Sequence, residues 1–221
     1  MRNYVNIILI IVINYSFASD QVPAPEQKHP ILLKNCNIHT VSGEDIRGGS
    51  ILFEKGIITG VASRIANLPE NTEIIDLKGK HVYPGLIAAS SVIGLTEIGA
   101  VAVTRDFSER GEVNPNVRAE VAYNPDSEII PVTRSNGITV VHSCPTGGII
   151  SGTSAIMMLD GWTWEKAILK APAGLHINWP NMGAVGRWGH RVSEEDAAKR
   201  REETLKKLDS AFDEARRYLV A

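Results

Sequence analysis

The stretch that decides the fold is VYPGLIAASSV, residues 82–92. An apolar strand runs into Pro84, Gly85, Leu86 and Ile87. The next five residues are Ala, Ala, Ser, Ser and Val, and they contain no imidazole, thiolate or carboxylate. We therefore expect a strand whose exit has no side chain suited to holding a metal ion.

Upstream of this stretch the sequence predicts a small all-β domain over residues 31–83. Short apolar, β-branched runs alternate with glycine turns, and Lys55-Gly56 is a tight-turn signal between two of them. Strands are predicted at 31–38, from 48, at 57–61, at 73–77 and at 81–87. Short strands at this spacing favour a β-sandwich or a partial barrel.

Downstream, strands alternate with helical segments, which indicates an α/β layer structure. Helices are predicted at 126–136, with a local break at Pro131, near Thr163 and at 193–220. Strands are predicted at 138–142, 154–159 and 173–178. A complete (β/α)₈ barrel takes about 250 residues, so we expect residues 84–221 to form a partial, truncated TIM-type barrel.

The long C-terminal helix has the clearest pattern. Ser193 and Asp196 have the spacing of a capping box. An apolar stripe then recurs at three- and four-residue steps, through Leu205, Leu208, Phe212, Ala215 and Leu219. The other face is charged, as in an outer helix in contact with solvent.

The N-terminus has the features of a secretory signal. Arg2 precedes a mostly apolar segment, and Ser16-Phe17-Ala18 places small residues where a signal peptidase reads them. We expect cleavage after Ala18, a linker at 19–30, a periplasmic or secreted protein and no stable membrane insertion after cleavage. The alternative is an uncleaved N-terminal anchor.

Charge and cysteine content limit the partners. The formal net charge of -2 gives no reason to expect nucleic acid. Cys36 and Cys144 would both reach an oxidising compartment. They either pair as a disulfide or, as we favour, lie apart as two small core residues.

Three of these segments together carry a family resemblance. The turn and strand GIITGV at 56–61, the pair Ile75-Asp76 and the run GKHVYPGLI at 79–87 resemble the amidohydrolase superfamily, near its imidazolonepropionase-like and dihydroorotase-like members. The resemblance implies a composite β-sandwich domain beside a TIM-type barrel. It also implies hydrolysis of carbon–nitrogen bonds other than peptide bonds, with zinc or another divalent metal.

The family's first metal motif is degenerate in this chain. Position by position, the family's aspartate falls on Ala88 and its two histidines fall on Ser90 and Val92. Valine has no donor atom, and a neutral hydroxyl is a poor zinc ligand. The resemblance places the later ligands beyond Ala221. We therefore assign no metal ligand and expect no cofactor in this chain.

His142 is the best remaining candidate for substrate contact, because it ends a β-branched strand where barrel enzymes place their working residues. It either contacts substrate, acts as a displaced metal ligand or simply bonds at a strand end. Thr146 and Gly147 follow in a loop, and His176 lies near the end of another strand. Cys144 as a nucleophile would need a base, which adjacency to His142 does not by itself supply.

Three functional hypotheses remain open from the sequence. The first is an exported amidohydrolase-like hydrolase acting on a small-molecule substrate. The second is a binding or scaffold relative without catalysis, and the third is a truncated fragment of a longer hydrolase. An incomplete barrel would leave apolar surface uncovered, so we also expect a homo-oligomer or a complementing C-terminal half.

Overall fold

The computed structural model describes residues 22–183 and 192–220. The chain divides into two compact units. The first contains residues 24–88 and 137–140, and the second contains the described parts of 1–23, 89–136 and 141–221. Within the described residues, no helix is both long enough and apolar enough to cross a membrane.

A five-stranded sheet forms the first unit. Its strands are β1 (Ile31–Ile38), β2 (Ile46–Glu54), β3 (Ile57–Ala62), β4 (Glu73–Asp76) and β5 (His81–Val82). The order is β3-β2-β1-β4, and β5 also pairs with β1. β2 is antiparallel to β1 and β3, whereas β4 and β5 run parallel to β1. The strands predicted at 31–38, from 48, at 57–61 and at 73–77 are confirmed by β1 to β4.

The predicted turn at Lys55-Gly56 is a two-residue hairpin. Glu54 pairs with Ile57 across it, and Lys55 and Gly56 both have positive φ, 52° and 74°. Positive φ at both central residues is the signature of a type I′ turn, whose twist matches that of the flanking strands. The turn therefore sets the register of the β2–β3 pair.

One core cluster of the first unit is built around β1 and β2. Cys36, Ile38 and Ile51 are buried, with Leu33, Ile46, Phe53, Leu77 and Val82 packed against them. The Cys36 thiol donates a hydrogen bond to the carbonyl of Gly49 at 3.3 Å. Burial raises the pKa of this thiol. Cys36 and Cys144 are both free and buried.

A second, four-stranded sheet has the order β6-β7-β8-β9. Its strands are β6 (Leu86–Ser91), β7 (Ile138–Ser143), β8 (Ile150–Met158) and β9 (Ile168–Ile177). β8 and β9 are antiparallel, with Ser154 opposite Gly174 and Gly152 opposite His176. The boundary between the two units falls within β6 and β7.

The single run predicted at 81–87 is wrong, because the structure divides it into β5 and β6, which belong to different sheets. Pro84 cannot donate a ladder hydrogen bond, so it ends the first pairing. Gly85 then passes so close to Thr139 that a Cβ at this position would overlap the threonine side chain. The missing side chain lets β6 begin beside β7.

Helices are few: α1 (Ile129–Ser135), α2 (Trp164–Ala167), α3 (Glu194–Val220) and a 3₁₀ turn at Ala102–Thr104. The break predicted at Pro131 does not occur. Because α1 begins at Ile129, Pro131 lies in the first turn, where its missing N–H costs no hydrogen bond. The described chain is thus mostly β-sheet. The β-sandwich at 31–83 and the partial barrel at 84–221 remain predictions.

The helix α3 has the cap that the sequence predicts. The backbone N–H of Asp196 donates to Ser193 Oγ at 3.1 Å, and the Ser193 hydroxyl donates to the Asp196 carboxylate at 2.7 Å. Of the predicted apolar stripe, however, only Leu208 is buried, against Ile149 and Ile150. The ion pair of Lys207 with Glu112, at 2.6 Å, lies beside that contact.

Candidate functional site

Three ligand-type side chains meet at one end of the second sheet, and we call them the His-Cys-His cluster: His142, Cys144 and His176. Each offers one donor atom, and these atoms all lie within 4.8 Å of one another. His142 lies on β7, Cys144 follows it directly and His176 lies on β9. Cys144 is buried and both histidines are half-buried. The two imidazole rings are 5.6 Å apart at an angle of 57°.

A buried serine orients His142. His142 Nε2 and Ser154 Oγ are 2.8 Å apart, and the Ser154 hydroxyl donates to the carbonyl of Gly174 at 3.2 Å. Because a hydroxyl has a single proton, Ser154 accepts a hydrogen bond from His142 rather than donating one. The proton of neutral His142 is therefore on Nε2, which leaves the lone pair of Nδ1 free.

The electrostatics of the cluster favour the neutral form of the His176 imidazole. Burial and, secondly, the positive charge of protonated His142 lower the pKa of His176. Burial raises the pKa of the Cys144 thiol, while hydrogen bonds with the Ser90 side chain and the Ser91 backbone act in the opposite direction. Near neutral pH, His176 is thus unprotonated and available as a hydrogen-bond acceptor or a ligand.

Ser90 and Val92, where the resemblance places the family's first-strand histidines, differ in their surroundings. Ser90 ends β6 with a positive φ of 53°, and its side chain bonds to Cys144, so it lies beside the cluster. Val92 follows β6 and offers no donor. The residues present at Ser90 and Val92 therefore do not fit the metal pair that the resemblance implies.

Thr146 and Gly147 belong to a tightly held loop. The Thr146 N–H donates to the Phe107 carbonyl at 2.7 Å. The Gly147 carbonyl accepts from Ser151 Oγ at 2.7 Å and from Asn178 Nδ2 at 3.2 Å. Both Thr146 and Gly147 are exposed. The hydrogen bonds just described join them to neighbouring segments of the chain rather than to the cluster.

Sequence reasoning found both histidines of the cluster but did not connect them. It considered Cys144 as a nucleophile, a disulfide partner or a core residue but not as a ligand, and it missed Ser154 and Asn178. The spacing of His142 and Cys144 was an available signal, because residues two apart along an extended chain point to the same side. The approach of His176 had no such local signal, since it depends on β7 and β9 lying in one sheet.

Comparisons with known proteins identify the fold. An amidohydrolase from Thermotoga maritima MSB8 is 26% identical, with a TM-score of 0.70 over 86% of this chain and 48% of its own. A prolidase solved with N-methylphosphonate-L-proline is 22% identical over 51% of this chain, with a TM-score of 0.33. Another amidohydrolase structure is 29% identical over 30%, with a TM-score of 0.26. No protein-family model and no curated protein sequence matches the chain.

The fold assignment rests on the Thermotoga structure, since it superposes on most of the chain. The chain spans about half the length of that amidohydrolase. This similarity supports the amidohydrolase superfamily and confirms the resemblance predicted from the sequence.

Proposed function

We propose, from this similarity to the amidohydrolase superfamily, that the protein is an amidohydrolase-type hydrolase acting on a carbon–nitrogen bond, other than a peptide bond, in a small molecule. The observation that carries the proposal is the superposition with the Thermotoga amidohydrolase, at 26% identity over 86% of the chain. The proposal includes the composite sandwich at 31–83 and a partial barrel at 84–221. The chain covers about half of the length of that relative. The activity of the whole protein is therefore also a proposal.

We place the substrate at the exposed side of the His-Cys-His cluster. His176 is neutral near pH 7 because burial lowers its pKa, so it faces the substrate as an uncharged ring. His142 is held by Ser154, which fixes the direction of its ring. Thr146 and Gly147, the exposed residues that follow Cys144 closely along the chain, are the further substrate contacts of this proposal.

The family's divalent metal would polarise the substrate carbonyl and activate a water molecule. Ser90 and Val92 do not fit its first-strand ligands, so no step of the proposed reaction is assigned to that metal position.

A second function, ligand binding without catalysis, is favoured by one observation. Val92 replaces a family ligand with a side chain that has no donor atom. A protein of this kind would keep the binding surface at the His-Cys-His cluster and bind the same class of molecule. It would release no product.

Hydrolysis of a panel of cyclic imides, ureas and N-acyl amino acids tests the proposal, with the released amine or ammonia measured. We expect His142→Ala to lower kcat/KM by about 100-fold or more, the usual effect of losing a positioned imidazole. His39→Ala is the matched control, because His39 lies in the first unit, bonded to Asp45 at 2.7 Å.

The outcomes separate the two functions. Turnover that falls in His142→Ala and not in His39→Ala supports the hydrolase. Saturable binding of a panel member without turnover would replace it with the binding function. Equal effects of the two substitutions would remove His142 from the site.

A further inference from the structure

The His-Cys-His cluster is a converging set of donors as well as a candidate substrate surface. Its three donor atoms lie within 4.8 Å of one another. In a tetrahedral zinc site, with metal–nitrogen distances of about 2.0 Å and a metal–sulfur distance of about 2.3 Å, donor atoms lie about 3.5 Å apart. Side-chain rotations that shorten the longest of these separations, at most 4.8 Å, by no more than about 1.3 Å would therefore close the site around an ion.

The donor set selects the class of ion. Two imidazoles and a thiolate suit zinc and other borderline or soft divalent ions. Magnesium and calcium require oxygen ligands, and the cluster contains none. A magnesium or calcium site at this position is therefore disfavoured.

The surroundings of the cluster prepare the ligands. Ser154 holds the proton of His142 on Nε2 and leaves Nδ1 unprotonated. Metal-binding histidines commonly have such a partner, which fixes both the tautomer and the ring orientation. Ser90 bonds to Cys144, so a hydroxyl also lies next to the thiol.

We propose that His142, Cys144 and His176 bind one zinc-type divalent ion and leave a coordination position open for water or a substrate oxygen. Three protein ligands and an open position are the arrangement of catalytic rather than structural zinc sites. The sequence predicts no metal ligand, because Ser90 and Val92 occupy the family positions. These three donors come from other positions, on and after β7 and on β9. The inference goes beyond the proposed function, because binding of the ion does not require hydrolysis.

Metal binding to the purified chain tests the inference directly. After treatment with a chelator, Zn²⁺ is added by equilibrium dialysis and the bound metal is measured by mass spectrometry. We expect one zinc per chain at micromolar or tighter Kd, with no competition from excess Mg²⁺. With Co²⁺ as the probe, we expect a thiolate-to-cobalt charge-transfer band.

Substitutions locate the ion. Cys144→Ser should remove the charge-transfer band, and Cys144→Ser, His142→Gln and His176→Gln should each weaken Zn²⁺ binding by about 100-fold or more. Ser154→Ala keeps all three ligands and should weaken binding by about 10-fold, in the range found for partners of metal-bound histidine. The matched controls are His39→Gln and His81→Gln, because these side chains form another close histidine pair, with His39 Nε2 2.8 Å from His81 Nδ1.

Several results would overturn the proposed zinc site. They are no zinc bound at micromolar concentrations, a cobalt spectrum unchanged by Cys144→Ser, or a loss of zinc in His39→Gln equal to that in His142→Gln. Circular dichroism of each variant shows that a loss is not due to unfolding. Zinc binding without turnover would count against the hydrolase alone. Turnover by a chain that binds no zinc would count against this inference alone.

Discussion

Gly94 has a φ of 80°, a backbone conformation that residues other than glycine adopt only at an energetic cost. It is buried, and a Cβ at this position would overlap the ring of Tyr123. Tyr123 is itself 3% exposed and bonds to the Met158 carbonyl at 3.3 Å. The ring therefore has little room to move away.

We predict that Gly94→Ala lowers the free energy of unfolding by about 3 kcal/mol, from overpacking of about 1–3 kcal/mol and left-handed strain of about 1–2 kcal/mol. Chemical denaturation followed by fluorescence measures it. Gly111→Ala is the control in the same unit. It also has positive φ, 102°, but its Cβ would meet only the Asn114 amide at 3.2 Å.

Because that amide is the far end of a half-buried side chain that has room to shift, the control should cost only the strain, about 1–2 kcal/mol. Equal losses for the two variants would show that the Tyr123 ring yields, and that the overlap has no energetic consequence.

Single residues also decide the chemistry. The resemblance places two family histidines at Ser90 and Val92, and the sequence alone is enough to judge that neither residue suits a metal, because a ligand position needs a strong donor atom. The tautomer of His142 is not legible in this way. It depends on Ser154, twelve positions away, and on the Gly174 carbonyl across the sheet.

At the scale of elements, the helix α3 combines a local signal with a tertiary contact. Its first turn contains Glu194, Glu195 and Asp196, which complement the positive end of the helix dipole. The Ser193 cap satisfies one of the otherwise unpaired N–H groups. These features are local in the chain, so the sequence predicts them well.

We predict that Ser193→Ala lowers the free energy of unfolding by about 1 kcal/mol through loss of this cap. Ser210→Ala is the control, because Ser210 is an exposed interior position of the same helix. It should be neutral or slightly stabilising, since alanine has the higher helix propensity. Urea denaturation with circular dichroism measures both. A cap variant as stable as the wild-type chain would show that the start of α3 contributes nothing to folding.

The burial of α3 is a tertiary property. The repeat of Leu205, Leu208 and Phe212 predicts a continuous buried stripe, but Phe212 is 42% exposed and Leu219 is 84% exposed. Periodicity identifies the apolar face of a helix. How much of that face is covered depends on which elements pack there, and the cluster of Ile149 and Ile150 takes in only Leu208 and Ala211 of this helix.

At the scale of the whole molecule, we propose that the protein is exported after cleavage behind Ala18, a position outside the described residues. Export would bring Cys36 and Cys144 into an oxidising compartment. Both thiols are buried, at 0% and 3% exposure, and both are free.

We therefore predict two free thiols in the exported protein. Alkylation under denaturing, non-reducing conditions and intact-mass measurement should find two labels on a chain that begins at Ser19. Ala18→Arg is the control that should block cleavage. A chain of full length in the membrane fraction would instead favour the uncleaved anchor, and an unlabelled chain would indicate a disulfide.

By itself, the sequence determined the features that depend on neighbours along the chain: the strands β1 to β4, the Lys55-Gly56 hairpin, the cap of α3 and the lack of an imidazole, thiolate or carboxylate at Ser90 and Val92. Alternation, turn chemistry and side-chain donors act within a few residues, so they are visible without a fold. Only the tertiary structure separated β5 from β6 and joined His142 and Cys144 to His176. That meeting depends on strand order, because β7 and β9 lie on either side of β8 in one sheet.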